Sequence, residues 1–461
     1  MIGPREDSEE SRLPPNTERQ RVQHLLRRAT FGVSARELEE YVALGTSGTV
    51  EALLRPEAVD DPAADAAVAL AAAPFDLDPA DPEVRRQQRG ALHRAWLTRL
   101  VLTRRPLLER MTYFWHDHFA TALGKVNNPL LMHRQNATLR AHAIGSFEAL
   151  LLAVTRDPAM MIYLDNRSNA RTAPNENYAR ELLELHTLGE GGGYSEADVK
   201  QAARALTGWR LQDDSAVFRP QQHDPGRKTV LGQTGTFDDA ALIALLARHP
   251  GTARYICDKL VRFFVRPDSS PDLVGRATEV FTRTNGDIRE VMRAILLSPE
   301  LFEGPAYRSI VKAPAEFVIG VARALEVKTD GTPEFDAARR IGQTLFDPPN
   351  PAGWPAGPAW VNATTILARS NYASDITRLR GAHVADVPAL LRPHGVTGSA
   401  EEVVDFLLDL LVGGDVPPST RSVLIDHIGG PTHFRFEQAA RDGTLHGLVY
   451  LILSMPLYQV L

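Results

Sequence analysis

Residues 157–189 read Asp157-Pro-Ala-Met-Met-Ile-Tyr-Leu-Asp-Asn-Arg-Ser-Asn-Ala-Arg-Thr-Ala-Pro-Asn-Glu-Asn-Tyr-Ala-Arg-Glu-Leu-Leu-Glu-Leu-His-Thr-Leu-Gly189, a short helix, a polar loop and a second helix. Asp157 supplies an N-cap acceptor and Pro158 sits at the first helical position, where a missing N–H costs nothing. The helix they open spans 159–164, and residues 165–174 form the polar loop. Pro174 or Asn175 begins the next helix and Gly189 ends it. Ser195 with Asp198 restarts helix to about Trp209. Working outward, the 3.6-residue apolar period recurs over 83–121, 134–155, 238–248, 251–265, 271–284, 287–297, 312–325, 361–367, 401–411, 419–427 and 444–453. Strand signals are confined to Phe218 and Val230-Leu231, which flank the turn-rich Pro220–Lys228. The prediction is an all-α fold: a large multi-helix domain with one small β-hairpin near 216–231 and long irregular loops.

The pattern also suggests how the 461 residues are organised. Residues 1–17 are polar and proline-bearing, as in a disordered arm, and 18–461 form one large helical domain, with lobes at 18–300 and 301–461 as an alternative. Ser34 with Glu37 spells a capping box. Residues 55–83, rich in Ala, Asp and Pro, are expected to be a solvent-exposed excursion. The five prolines of Asp347–Trp360 forbid regular helix there, while Trp354 and Trp360 point to packing.

Composition narrows the function classes. With 51 Lys+Arg against 57 Asp+Glu and a net charge of -6, no basic surplus is available to hold a nucleic-acid backbone. A single cysteine, Cys257, leaves no internal disulfide or thiolate cluster and reads as a buried thiol. No apolar run approaches the roughly 18 residues of a membrane span. The first residues show no export signal, so a cytoplasmic setting is expected, with export alongside a partner left open. P-loop, dinucleotide glycine fingerprint, nucleophile elbow and His-Glu-x-x-His are all missing from the sequence.

The candidate chemistry clusters in and around the opening stretch. On a helical wheel, Glu176, Arg180, Glu184, Asn177 and Glu181 share one polar arc, while His186 falls on the apolar side with Tyr178, Ala179, Leu182 and Leu183. Glu181 and Glu184, three apart, can aim at one divalent metal ion, as in carboxylate bundles, or act as a base. Asp165, Asn166, Asn175 and Asn177 offer oxygen ligands for a hard cation. The structural alternative has Arg180 neutralising Glu176 and Glu184, with the Asx residues forming turns and caps. In Phe114-Trp-His-Asp-His-Phe119 a helix sends His116 and His118 about 200° apart, so each is either a ligand or a buried hydrogen-bonded ring. His223 beside Asp224 sits in a turn where it can ligate or move protons. Arg140 can pair with Asp165.

These segments together resemble bacterial proteins carrying domain of unknown function 1800. The resemblance rests on His24-Leu-Leu-Arg-Arg-Ala-Thr-Phe-Gly32, Phe114–Phe119, Asp157–Asn166, Asn175–Gly189, Ala203-Arg-Ala-Leu-Thr-Gly-Trp209, His223-Asp-Pro-Gly-Arg-Lys228 and Pro348-Pro-Asn-Pro-Ala-Gly-Trp354. It implies a largely helical fold and no established reaction. It also implies an exported setting beside a sulfatase-like protein carrying domain of unknown function 1501, from which the missing signal departs.

Two function classes follow. The first is a metal-dependent hydrolase or oxidase acting on a small molecule or polymer, with a polar pocket around 165–184. There His116, His118, Asp165, Glu181, Glu184 and His223 would be metal ligands, and Glu181, Glu184, Arg180, His223 and Asp224 would do chemistry. The second is a binding or assembly protein in which the polar stretch is a structural network and residues 348–360 meet a partner. A third reading, a sugar-polymer binder, requires Trp354 and Trp360 both to be solvent-accessible.

Overall fold

Proline sets the frame. Each of α3 (Pro62–Ala72), α4 (Pro82–Leu102), α5 (Pro106–His118), α7 (Pro129–His142), α9 (Pro158–Tyr163), α13 (Pro250–Phe264), α14 (Pro271–Arg283) and α16 (Pro314–Ala324) begins with proline at its first position. Between them lie α1 (Glu18–Ala29), α2 (Ala35–Leu53), α6 (Leu123–Val126), α8 (Phe147–Thr155), α10 (Asn177–Leu183), α11 (Glu196–Ala205), α12 (Asp239–Ala247) and α15 (Ile288–Leu296). The C-terminal third adds α17 (Thr332–Ile341), α18 (Ala363–Ile376) and six shorter or longer helices to Ser454. The computed structural model describes residues 14–76 and 81–461. The expected arm lies outside the described residues up to position 13, and Thr17 already caps α1 with a capping box to Gln20.

The fold is all-α with small antiparallel hairpins, as the sequence indicates, but the strands pair differently. β1 (Trp209–Gln212) pairs with β2 (Ser215–Phe218), and β3 (Lys228–Val230) with β4 (Gln233–Gly235). Each hairpin closes on a two-residue turn with positive φ, Asp213-Asp214 in one and Leu231-Gly232 in the other. Such turns match the right-handed strand twist. Pro220–Lys228 therefore connects two hairpins.

Other departures have physical causes. The expected excursion 55–83 contains α3, which packs on α4: alanine is the strongest helix former, and its short side chain allows close approach. Asp61 anchors this segment by accepting from Thr103 Oγ1 at 2.5 Å, and Arg99 reaches Asp65 at 2.8 Å. The helix expected over 134–155 breaks at Gly145-Ser146. There the Phe147 N–H donates to the Gly286 carbonyl, the Ile288 N–H to the Gly145 carbonyl, and Ser146 caps α8. Likewise 83–121 splits before Pro106. The helix after the polar loop starts at Asn177 and ends in a π turn, Glu184–Leu188.

One contiguous apolar core runs from Val22 to Tyr458 and takes in Cys257. The buried thiol expected from sequence is there, pushed up to about 12 by desolvation. Residues 310–312 pair with the C-terminal strand-like segment through Val311 and Val460. No helix among the described residues is long and apolar enough to cross a membrane.

Candidate functional site

Helical spacing alone puts Tyr113, Phe114 and Asp117 on one face of α5, and Lys259, Arg262 and Phe263 on one face of α13. Those faces, the start of α16 and the proline-rich segment after Gln343 line an open-mouthed cavity of about 340 Å³. That size suits a small ligand. Phe114, Phe263, Trp354 and Trp360 supply apolar wall, and Asp117, Lys259, Glu316 and Gln343 the polar groups.

Each polar group is held. Gln343 donates to the Tyr113 hydroxyl at 2.7 Å and accepts the Ala315 N–H at 3.0 Å, satisfying a donor at the start of α16. Glu316 accepts the Ala313 N–H at 2.7 Å and forms a buried ion pair with Arg110, whose guanidinium lies 4.5 Å from the Phe263 ring. Asp117 Oδ1 accepts the Trp354 N–H at 2.8 Å. This contact exists because Gly353, at φ 94, brings backbone onto the carboxylate; a Cβ there would stand 2.3 Å from Asp117 Oδ1.

Lys259 is the unusual member. It makes no ion pair within 4 Å among the described residues, and its Nζ donates to His118 Nδ1 at 3.0 Å. The other ring nitrogen, His118 Nε2, lies 3.2 Å from the His186 carbonyl. A carbonyl only accepts, so Nε2 carries the proton and Nδ1 is left as the acceptor for Lys259. The π turn exposes that carbonyl: it belongs to a helix end whose last oxygens lack intrahelical partners, and the neighbouring Leu185 oxygen is taken by the Tyr255 hydroxyl at 3.2 Å. Desolvation lowers the Lys259 ammonium from its ordinary value and raises the Asp117 carboxyl, while each charge partly offsets the other's shift. His118 is held well below its usual value, chiefly by burial and then by the Lys259 charge, so it is a neutral ring at physiological pH.

The residues singled out from sequence fall in several places. His116 lies on the opposite side of α5 from His118, as the wheel requires. Its Nε2 accepts the Phe346 N–H at 3.0 Å, its ring lies against Trp354, and burial pushes it down to about 3. His186 is a core histidine at 0% exposure. Asp165 pairs with Lys125 at 2.8 Å, and Arg140 pairs with Glu109 at 2.5 Å, which replaces the expected Arg140–Asp165 pair. Arg180 binds Glu196 through two bonds of 2.6 and 2.7 Å and Glu176 at 3.5 Å, while Glu184 accepts from the Tyr194 hydroxyl. Glu181 is half-buried beside Glu184, and burial followed by that neighbouring charge raises its carboxyl. His223 Nδ1 faces the Thr207 carbonyl at 3.0 Å, and Asp224 pairs with Arg204 at 2.7 Å. Among the described residues no three His, Cys, Asp or Glu side chains are grouped to hold a metal ion. The expected ligands therefore do not gather.

Around the polar loop the Asx residues bond one another. Asn169 donates to Asn166 Oδ1 and the Ala203 carbonyl and accepts the Asn175 N–H, and Asn177 donates to the Leu164 carbonyl. These are turns and caps of the kind Asx residues form, while Arg180 pairs with Glu176 and Glu196 in place of the expected Glu184. Trp360 is 5% exposed, so the requirement that both tryptophans be accessible fails at that ring.

In the sequence Asp117 is flanked by two histidines and Lys259 lies two residues from the single cysteine, residue types with stronger chemical signals of their own. One signal was present: lysine accounts for only six of the 51 basic residues, at 125, 200, 228, 259, 312 and 328. Where arginine is the default cation, a lysine on an apolar helix face stands out as the cation able to lose its proton.

Comparison with curated proteins and with solved structures found no match. Residues 24–460 match the family described as protein of unknown function (DUF1800). Covering nearly the whole chain, that match carries the sequence resemblance to a conclusion: the chain belongs to the DUF1800 family.

Proposed function

We propose that this protein is an enzyme whose centre is the Asp117–Lys259 cavity, acting by acid–base chemistry on a small, largely neutral molecule with a ring or other flat apolar part. One observation carries the reading: a carboxyl held up and an amine held down by the same desolvation line one aromatic-walled cavity of about 340 Å³. Opposite shifts bring an acid and a base toward neutral pH, where proton transfer in both directions is efficient. The substrate class follows from the charges: Glu316 is neutralised by Arg110 and Arg262 by Asp258, so no unpaired arginine at the cavity calls for an anion.

The metal-dependent mechanism expected from sequence has less support, since among the described residues its ligands do not come together. Glu181 and Glu184 are the place where elemental analysis would have to find one. A sulfatase-like partner carrying domain of unknown function 1501 rests on the family resemblance alone. The test is to incubate the protein with a metabolite extract and follow consumption by mass spectrometry. A compound consumed by the wild type and by Glu181→Gln, but not by Asp117→Asn or Lys259→Met, supports the reading. Consumption that survives both cavity substitutions, or that needs Glu181 and stoichiometric metal, overturns it.

A further inference from the structure

We infer that Lys259 is a covalent nucleophile and that the natural substrate is an aldehyde or ketone, which it holds as an imine. The inference rests on the proposed acid–base centre and names its substrate class. Several observations converge on the amine. Lys259 lines the cavity, has no carboxylate within ion-pair distance among the described residues, and is tethered through one N–H to His118 Nδ1. The tautomer of His118 is fixed by the His186 carbonyl, so the ring can only accept from the amine. Among the described residues Nζ makes no other hydrogen bond. A desolvated amine in an apolar pocket is the condition under which lysine attacks carbonyl carbon.

Asp117 completes the chemistry. Its Oδ1 is occupied by the Trp354 N–H, while no bond is made to Oδ2 among the described residues. As the Lys259 lone pair forms the C–N bond, the carbonyl π pair moves to oxygen and takes a proton from Asp117. The carboxylate then removes a proton from nitrogen and returns it to the new hydroxyl, which leaves as water. The product is a protonated imine facing the Asp117 carboxylate, with no change of oxidation level.

The small number of lysines makes the test clean. Lys125, Lys200 and Lys328 are exposed and serve as internal references. Wild-type protein is treated at pH 7 with benzaldehyde or cyclohexanone and sodium cyanoborohydride, and each lysine is scored by peptide mass spectrometry. Labelling at Lys259 is expected to outpace the three references about tenfold. Asp117→Asn should slow Lys259 about tenfold without changing the references, and Lys259→Arg should abolish the adduct while keeping the helical circular dichroism. Labelling of Lys259 no faster than the references overturns the inference, as does a rate indifferent to Asp117→Asn. Metabolite consumption that requires Asp117 and Lys259 without any trappable adduct also overturns it, and leaves the acid–base reading intact.

Discussion

Replacing Gly353 by alanine strikes the contact that holds the proline-rich segment against Asp117. Two costs combine. At φ 94 an L-residue is disfavoured by about 1–2 kcal/mol relative to glycine. The added Cβ would also lie 2.3 Å from Asp117 Oδ1 and 2.9 Å from the Asp117 backbone oxygen. The carboxylate can rotate, but the helix backbone cannot, so the segment must retreat; overpacking of this kind costs about 1–3 kcal/mol. Relaxation of the loop takes back part of both, and a net local loss of about 2 kcal/mol is the expected size. Since 1.4 kcal/mol is about tenfold in an equilibrium, amides in 346–360 should exchange with deuterium about 30-fold faster by mass spectrometry. Peptides from α8, α12 and α15, which contribute no residue to the cavity, should keep their protection. The same variant should slow imine trapping at Lys259, because the opened cavity readmits water around the amine. Unchanged exchange over 346–360 would refute the claim that close approach at Gly353 is what holds the segment against Asp117, and uniform loss of protection would show that the segment is part of the global fold.

Two further substitutions read out buried charge. Asp157 Oδ1 accepts both the Gln135 side chain and the Met160 N–H, and burial raises its carboxyl to about 7 from 3.8. The folded state holds a proton that the unfolded state has lost, so stability is greatest below 3.8 and falls as pH rises through about 7, with a ceiling of about 4 kcal/mol. Asp157→Asn keeps both acceptor contacts without the titration, so urea unfolding should show its stability relative to wild type improving by about 2–3 kcal/mol between pH 5 and 8, the part of that ceiling lying above pH 5. A constant difference would refute the protonated carboxyl. Lys312 is buried with Nζ 3.5 Å from the Tyr458 ring centroid, and desolvation followed by Arg27 and Arg369 holds it well below its ordinary value. The unfolded form holds its proton more tightly than the folded form, so the cost of burial shrinks as pH rises toward 10.5. Lys312→Met should therefore stabilise the protein at pH 7 by about 1–3 kcal/mol, with less advantage at pH 9; a destabilised variant would refute this.

The elements were legible where local chemistry decides them. Pro158 after Asp157, Ser195 with Asp198, and Gly189 mark helix ends through interactions within a few residues, and all three sit where the sequence places them. The break at Ser146 was not legible, because its cause is the Gly286 carbonyl arriving from far along the chain. The turns of the two hairpins are set by the short signals Asp213-Asp214 and Leu231-Gly232, and the longer turn-rich run Pro220–Lys228 that outweighs them in the sequence is the connection. The site suffered most. Asp117 is an ordinary surface-type residue in the sequence and Lys259 stands out only by the scarcity of lysine; their character comes from burial and from partners such as His118, 141 residues from Lys259 along the chain.

The polar stretch that dominates the sequence has a place in this arrangement even though its carboxylates are not grouped around a metal. Asn166, Asn169, Asn175 and Asn177 lock the loop ahead of α10 and so fix where that helix begins. Its far end widens into the π turn, in which Thr187 Oγ1 donates to the Leu182 carbonyl five residues back. That widening leaves the His186 oxygen to His118, which decides which ring nitrogen carries the proton. The tautomer in turn decides that Lys259 must donate to the ring, so its remaining valences point away from His118. A run of amides and a helix irregularity thus act on the cavity through one carbonyl and one imidazole. Substitutions in 166–177 should therefore alter the reactivity of Lys259 before they alter the cavity's shape.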